Sequence, residues 1–223
     1  MELKLCGQAI RNQNTPLSML PFQTFVGGIF DTNAYLVTAA NGIILFDAPA
    51  GIVDWLESIK ATPTALLITH GHVDHIDGAA KVKQRFNCQV GYHPDTVPFA
   101  TDRSFFKQFG FSLEIEPIPA DFLVTETDLW PAWGEEFQVL LVPGHCPGSL
   151  CFYLPKHDLL IGGDVLFAGG VGRWDLPGGN QRELLSNIRR KILPLPDKTL
   201  VLPGHGPSTT IGEERESNPY LAL

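Results

Sequence analysis

Four side chains able to ligate a metal stand within six residues of one another: His70, His72, Asp74 and His75, in the segment Thr69-His-Gly-His-Val-Asp-His-Ile-Asp-Gly. Imidazole nitrogens mixed with carboxylate oxygens suit zinc, iron or manganese. An apolar run over 65–68 comes directly before them and reads as a short buried strand. A helix cannot use this spacing, because positions i and i+2 point to nearly opposite sides of it. A chain leaving a strand in extended form can. Alternation sets His70, His72 and Asp74 on one side, and a bend at Asp74 would bring His75 round to join them.

Three later positions share one grammar, in which a short β-prone run ends in glycine and a ligand-type residue follows. Val139-Leu-Leu-Val-Pro-Gly-His gives His145, Leu159-Leu-Ile-Gly-Gly-Asp gives Asp164, and Thr199-Leu-Val-Leu-Pro-Gly-His gives His205. Glycine at such a point lets the backbone turn sharply or pass close to a bound ion. A lone histidine after Pro-Gly is more often a structural loop residue. Three such positions, in a chain that also holds the histidine-rich segment, predict one shared site.

The elements that must position these groups are short. β-prone runs at 22–26, 34–38 and 43–47 are separated by Gly-Gly, Asp-Thr-Asn and Asn-Gly, the last within a hairpin turn at 39–42. Apolar residues Ile52, Val53, Leu56 and Ile59 predict a helix over 52–60. A helix over 78–86, with Asp77 as its N-cap, and a strand at 89–92 follow. A further helix is expected around 102–109, with Pro117 and Pro119 as stops after it. The second half repeats the pattern, with strands at 137–142, 150–154, 159–162 and 199–202 and a helix at 183–192. The start is weaker: an edge strand at 3–6 and a loop over 11–21. Strands followed by strand–helix alternation, twice over, predict two sheets packed face to face with helices outside.

Composition sets outer bounds. The chain has 223 residues, 44% hydrophobic and 18% charged, enough to bury a core, and no linker or repeat divides it. A single domain over 1–223 is expected. The net charge of −8, with both signs interspersed, argues against nucleic acid or an anionic membrane as partner. No apolar stretch approaches the roughly 20 residues of a spanning helix, and the start lacks a signal-like segment. The four cysteines (Cys6, Cys88, Cys146 and Cys151) form no Cys-x-x-Cys pair, and reduced thiols in a cytoplasmic protein are the simplest account.

With these pieces in place the chain resembles the metallo-β-lactamase fold superfamily, and within it the glyoxalase II (hydroxyacylglutathione hydrolase) branch. The resemblance runs from about Phe22 almost to the end. It is carried by Asn33-Ala-Tyr-Leu-Val, Leu45-Phe-Asp-Ala-Pro-Ala-Gly, the histidine-rich segment and Pro143-Gly-His-Cys-Pro-Gly-Ser. Gly163-Asp-Val-Leu-Phe, Gly172-Arg-Trp-Asp-Leu-Pro-Gly-Gly and Leu202-Pro-Gly-His-Gly-Pro-Ser-Thr-Thr-Ile-Gly-Glu-Glu continue it. The chain ends at Leu223, without the C-terminal helical region of full-length glyoxalase II, so the likeness is to the compact bacterial type. Cys146 stands where relatives have Thr or Ser, and Asp175 stands where a Tyr is expected.

The resemblance implies an α/β fold, a four-layer αββα sandwich of two mixed β-sheets with outer helices. It implies two divalent ions, zinc first and iron or manganese as alternatives. One would be held by His70, His72 and His145 and the other by Asp74, His75 and His205, with Asp164 bridging and Asp47 holding the ligands from behind. Arg173 and Trp174 would meet substrate. Two ions ~3.5–4 Å apart can bring a shared water's pKa towards ~7, and the hydroxide so formed can attack a carbonyl carbon while Asp74 orients it. A thioester such as S-D-lactoylglutathione fits best, because a thiolate of pKa ~8.5 leaves without a strong acid. Iron-dependent persulfide dioxygenation and lactone or β-lactam hydrolysis are the alternatives. The expected partner is a small-molecule thioester, and the protein is expected to be a monomer or homodimer.

The remaining groups take bland readings. His157 reads as solvated surface and His93 as structural. Phe105, Phe106, Phe109 and Phe111 read as packing, with a substrate channel as the alternative. Tyr220 reads as terminal chain, and 213–216 as a solvated charge run.

Overall fold

The computed structural model describes residues 20–110 and 114–221. The strand expected at 3–6, most of the loop at 11–21, and Phe111 lie outside these. Strands β1 (Phe22–Gly27), β2 (Thr32–Ala39) and β3 (Gly42–Phe46) form an antiparallel meander. β4 (Ala65–Leu67), β5 (Gln89–Tyr92) and β6 (Phe122–Leu123) extend it in parallel, in the order β1-β2-β3-β4-β5-β6. Parallel neighbours need crossovers. Helix α1 (Ile52–Ser58) joins β3 to β4, and the turn α2 (Val73–Ile76) with helix α3 (Ala79–Phe86) joins β4 to β5. Helix α4 (Val97–Thr101) follows β5.

The second sheet runs in the order β14-β13-β10-β9-β8-β7. Its members are β7 (Thr127–Ala132), β8 (Glu135–Leu141), β9 (Leu150–Leu154), β10 (Leu159–Gly163), β13 (Leu200–Pro203) and β14 (Thr209–Thr210). Only β10 and β13 pair in parallel. Between them lie the small hairpin of β11 (Leu166–Phe167) and β12 (Gly170–Val171) and helix α5 (Gln181–Asn187), continued by a wide π-helical turn at Ile188–Ile192. Helix α6 (Ile211–Ser217) closes the described chain.

Strand alternation divides the core into layers. Tyr35, Val37, Ile44, Phe46 and Leu67 face Phe137, Val139, Phe152, Leu154 and Ile161 between the sheets. Their neighbours Leu36, Leu45, Leu66 and Val90 point the other way, onto Ile52 and Leu56 of α1 and Val82 of α3. On the far side Leu140, Tyr153, Leu160 and Val201 pack against Leu184, Ile188, Ile192 and Ile211. This is the expected αββα sandwich. Phe46 and Phe152 meet at its centre, ring centroids 5.3 Å apart. Truncating either to Ala would cost about 3–5 kcal/mol through lost burial and the cavity left behind.

Several expectations shift. The helix expected at 102–109 is instead α4, which stops at Thr101 where Asp102 turns extended, followed by a 3-10 turn at Phe105–Phe109. Asp77 does not cap α3: it ends α2, and Gly78 takes the N-cap without a side-chain bond. β7 was not foreseen, because Pro131 and a half-exposed edge position hide its alternation. The stretch 213–216 belongs to α6, opened by a capping box between Thr210 and Glu213, and Glu214 is buried at 2% exposure. His157 is not free surface but pairs with Glu135 at 2.9 Å. The described residues contain no helix long and apolar enough to cross a membrane.

Candidate metal centre

The carboxyl ends of β3, β4, β8, β10 and β13 open on one edge of the sandwich, and the seven candidate donors gather there. His70 follows the end of β4, past a bend at Thr69, and His72 is the extended N-cap of α2. The bend expected at Asp74 is the α2 turn itself, and it swings Asp74 and His75 back beside the strand ends. The glycines that precede the later donors have geometric reasons. Gly144, before His145, has φ +126, and a Cβ there would enter the backbone of Leu184. Gly204, before His205, lies so close to Asp164 that a Cβ would overlap its carboxylate.

The donor atoms form overlapping trios. His70, His72 and His145 make one, Asp74, His75 and His205 another, and His70, His75 and Asp164 a third, each with ligand atoms all within 4.8 Å of one another. In the first trio His70 Nε2 is 3.1 Å from His72 Nδ1 and 3.2 Å from His145 Nε2. A tetrahedral ion with bonds of ~2.1 Å sets its donors roughly 3.4 Å apart, so this spacing fits a common ion. Asp164 lies between the sets, with Oδ1 3.3 Å from His75 Nε2 and Oδ2 3.5 Å from His145 Nε2 and 3.4 Å from His205 Nε2. His75 Nε2 and Asp164 Oδ1 are buried without a hydrogen-bond partner. Such orphans are costly unless something else is bound there, and a divalent cation meets the need of both.

The other ring nitrogens are held from behind, which fixes the tautomers. His75 Nδ1–H donates to Asp47 Oδ2 at 2.7 Å. His70 Nδ1–H donates to the Thr69 hydroxyl at 3.1 Å, and that hydroxyl donates to Asp47 Oδ2 at 2.8 Å. His145 Nδ1–H donates to the Arg173 carbonyl at 2.7 Å, and His205 Nδ1–H to the Phe30 carbonyl at 3.0 Å. All four therefore turn Nε2 into the site, the nitrogen that is free to ligate once the ring is neutral. Asp47, at the end of β3 with φ 60, also accepts the Thr69 N–H at 2.7 Å. Thr32 donates to Asp74 Oδ2 at 2.8 Å, and the side chains of Asn33 and Tyr35 tie β2 to Pro203 below His205. Sequence reasoning missed Thr32, Thr69 and the two carbonyls. Thr69 could have been suspected from its place beside His70, whereas the carbonyls carry no signal.

Charge in the metal-free centre divides along the same lines. Burial, reinforced by neighbouring imidazoles, holds His70 well below its ordinary pKa, and burial beside His145 brings His72 down to about 3. Burial would also lower His75 and His205, but the carboxylates outweigh it. Asp164 and Asp47 raise His75, and Asp164 and Asp74 bring His205 up to about 10. Burial likewise opposes ionisation of Asp74 and Asp164, yet His205 and His75 prevail, holding Asp74 at about 2 and Asp164 well below its usual value. A neutral trio thus adjoins a set of paired charges.

A cavity of about 490 Å³ opens on the centre. His72, Asp74, His145, Asp164 and His205 form its floor, and Phe30, Phe99, Phe105, Phe106, Phe109 and Phe167 its walls. Phe105, Phe106 and Phe109 do pack on one another, as read, but they also wall this cavity. Arg173 reaches the lining; Trp174 does not, and packs with Tyr220 at 6.1 Å over the α5 layer. His93 accepts from the Asp95 N–H at 3.2 Å, away from the lining, in a structural role. Cys146 is buried beneath the floor and joins none of the donor trios, its thiol pushed up to about 12 by burial.

The profile of the metallo-beta-lactamase superfamily matches residues 27–205, taking in every donor. The chain belongs to that superfamily. Among its members, the probable metallo-hydrolase YqgX of Bacillus subtilis is 38% identical over 202 residues, 87% of this chain and 94% of that protein. The hydroxyacylglutathione hydrolase GloC of Haemophilus influenzae is 36% identical over 172 residues, 76% of this chain and 81% of that protein. The crystal structure of TTHA1623 in a di-iron-bound form superposes with a TM-score of 0.79 at 35% identity, covering 89% of this chain and 100% of that one. The sandwich is that of the superfamily.

Proposed function

We propose that the protein is a metal-dependent thioester hydrolase, taking a small thioester such as an S-2-hydroxyacylglutathione to an acid and a free thiol. The observation that carries the reading is the buried pair His75 Nε2 and Asp164 Oδ1, 3.3 Å apart with a hydrogen bond to no group, set among the donor trios. The likeness to GloC supports the thioester, and the di-iron form of TTHA1623 supports two ions. His70, His72 and His145 would hold one ion and Asp74, His75 and His205 the other, with Asp164 shared. When bound, two such ions supply an activated water at neutral pH and an electrophile for the carbonyl oxygen.

The chain's own groups do the rest. Asp74, held ionised by His205 and Thr32, presents an acceptor that orients the attacking water. The phenylalanine walls set an apolar surface for the acyl group beside the charged floor. As the water oxygen bonds to the acyl carbon its proton passes by way of Asp74 to solvent, and as the carbonyl bond re-forms the carbon–sulfur bond breaks and the sulfur leaves with the electron pair. Apart from the floor residues, Arg173 is the only ionisable group among the described lining residues, so no dedicated acid serves the leaving group. A thiolate needs none, whereas an amine would. Thiol release from S-D-lactoylglutathione, followed with a thiol reagent, tests the proposal. Release that a chelator stops supports it, and no release by protein with confirmed metal refutes it.

A further inference from the structure

The wall and rim of the cavity are unequal in chemistry. Six phenylalanine rings make the wall, and Arg173, its side chain 60% exposed, is the one cationic residue besides the donor histidines among the described lining residues that could meet an anionic tail. Its guanidinium is already engaged. Its Nε donates to Asp175 Oδ1 and its Nη2 to Asp175 Oδ2, both at 2.8 Å, a two-bond fork that uses one of the two faces on which a guanidinium can grip a carboxylate. Asp175 lies two residues along the same loop and outside the cavity lining, so it competes without filling the cavity.

Resting on the thioesterase reading, we propose that Asp175 is a positioning residue that sets specificity. By pairing with Arg173 it offsets the guanidinium charge and reduces the advantage that a thiol portion carrying a carboxylate would draw from it, so the site takes neutral thioesters as readily as glutathione esters. An anionic tail can use only the Nη1/Nη2 face that the fork leaves free, and it meets the Asp175 charge beside it. A neutral tail does not meet that charge and gains from the aromatic wall.

The test compares one acyl group on two thiols: S-phenylacetyl-N-acetylcysteamine, which is neutral, and S-phenylacetylglutathione, which is anionic. Wild-type protein is expected to hydrolyse both esters and to draw little advantage from the charged tail. In Asp175→Asn the ratio of kcat/KM for the glutathione ester to that for the neutral ester should rise about two- to fivefold, the range for one exposed ion pair. The rise should come through KM and not kcat, and it should vanish in the double variant Arg173→Met/Asp175→Asn. The Asp175 side chain is 63% exposed, so the substitution does not threaten folding. An unchanged ratio in Asp175→Asn, or a rise that survives loss of the guanidinium, overturns the proposal. Hydrolysis of neither ester by metal-loaded wild type would instead overturn the thioesterase reading, and this inference with it.

Discussion

Replacing Asp47 by Asn should disarm the centre without touching a ligand. Asp47 is 3% exposed and accepts three hydrogen bonds, from Thr69 N–H, the Thr69 hydroxyl and His75 Nδ1–H, at 2.7, 2.8 and 2.7 Å. Its φ of 60 is one that Asn tolerates as readily as Asp, so the backbone stays. The Thr69 N–H can only donate, which requires the Asn oxygen opposite it and puts the amide NH2 against the Thr69 hydroxyl and His75. The reverse orientation leaves buried N–H groups face to face, at a cost of about 1–3 kcal/mol. A donor facing His75 Nδ1 drives the ring proton to Nε2. A donor facing the Thr69 hydroxyl turns that hydroxyl round to donate to His70 Nδ1, with the same result there.

One substitution thus blocks a ligand nitrogen in each trio. Supports of this kind are each worth about 10–100-fold in metal affinity, so the combined loss should be roughly 100- to 10,000-fold, or about 3–5 kcal/mol. Competition against a chromophoric chelator measures the affinities. Wild-type affinity in Asp47→Asn would refute the reasoning.

Other outcomes follow from the same geometry. Asp164→Ala should lower metal content from two ions to one or fewer and remove activity with it; two tightly held ions in that variant would contradict the shared position of Asp164. Raised pKa values mean that His75 and His205 carry protons in the metal-free protein at pH 7, so metal uptake must expel them. Affinity should therefore climb with pH through neutrality towards about 10, where His205 is neutral without metal, and calorimetry in buffers of different ionisation heat should register proton release. Cys88, Cys146 and Cys151 should resist alkylation in the native state and react on unfolding, because each thiol is buried with its pKa raised; mapped labelling of Cys146 in the folded protein would show the floor to be looser than described.

Much of this was legible in the residues because it rests on short-range rules. Alternation put Leu36 and Leu45 on one face and Tyr35 and Phe46 on the other, which determines the layers. The recurring run-glycine-donor pattern marked His145, Asp164 and His205, because strand ends that share an edge need tight exits. What escaped depends on partners distant in the chain. The run at 213–216 read as solvent-facing, although Thr210 and Glu213 spelled a capping box. Glu214 is buried because its carboxylate meets not only its sequence neighbours Thr209 and Asn218 but also the backbone of Gly169, a contact no local pattern reveals. Phe105 and Phe106 have a composition that suits packing and cavity wall equally, and only the tertiary arrangement decides. Arg173 and Trp174 stand next to each other, yet the loop sends one to the cavity and the other to Tyr220.

The central claim is that seven inward-facing donors make a metal-dependent thioester hydrolase. Its most direct test is the rate of thiol release from S-D-lactoylglutathione by one preparation, measured metal-loaded, after chelation and after metal is restored. The account predicts turnover that disappears with the metal and returns with it. Release that persists without metal, or no release from the loaded protein, would contradict it.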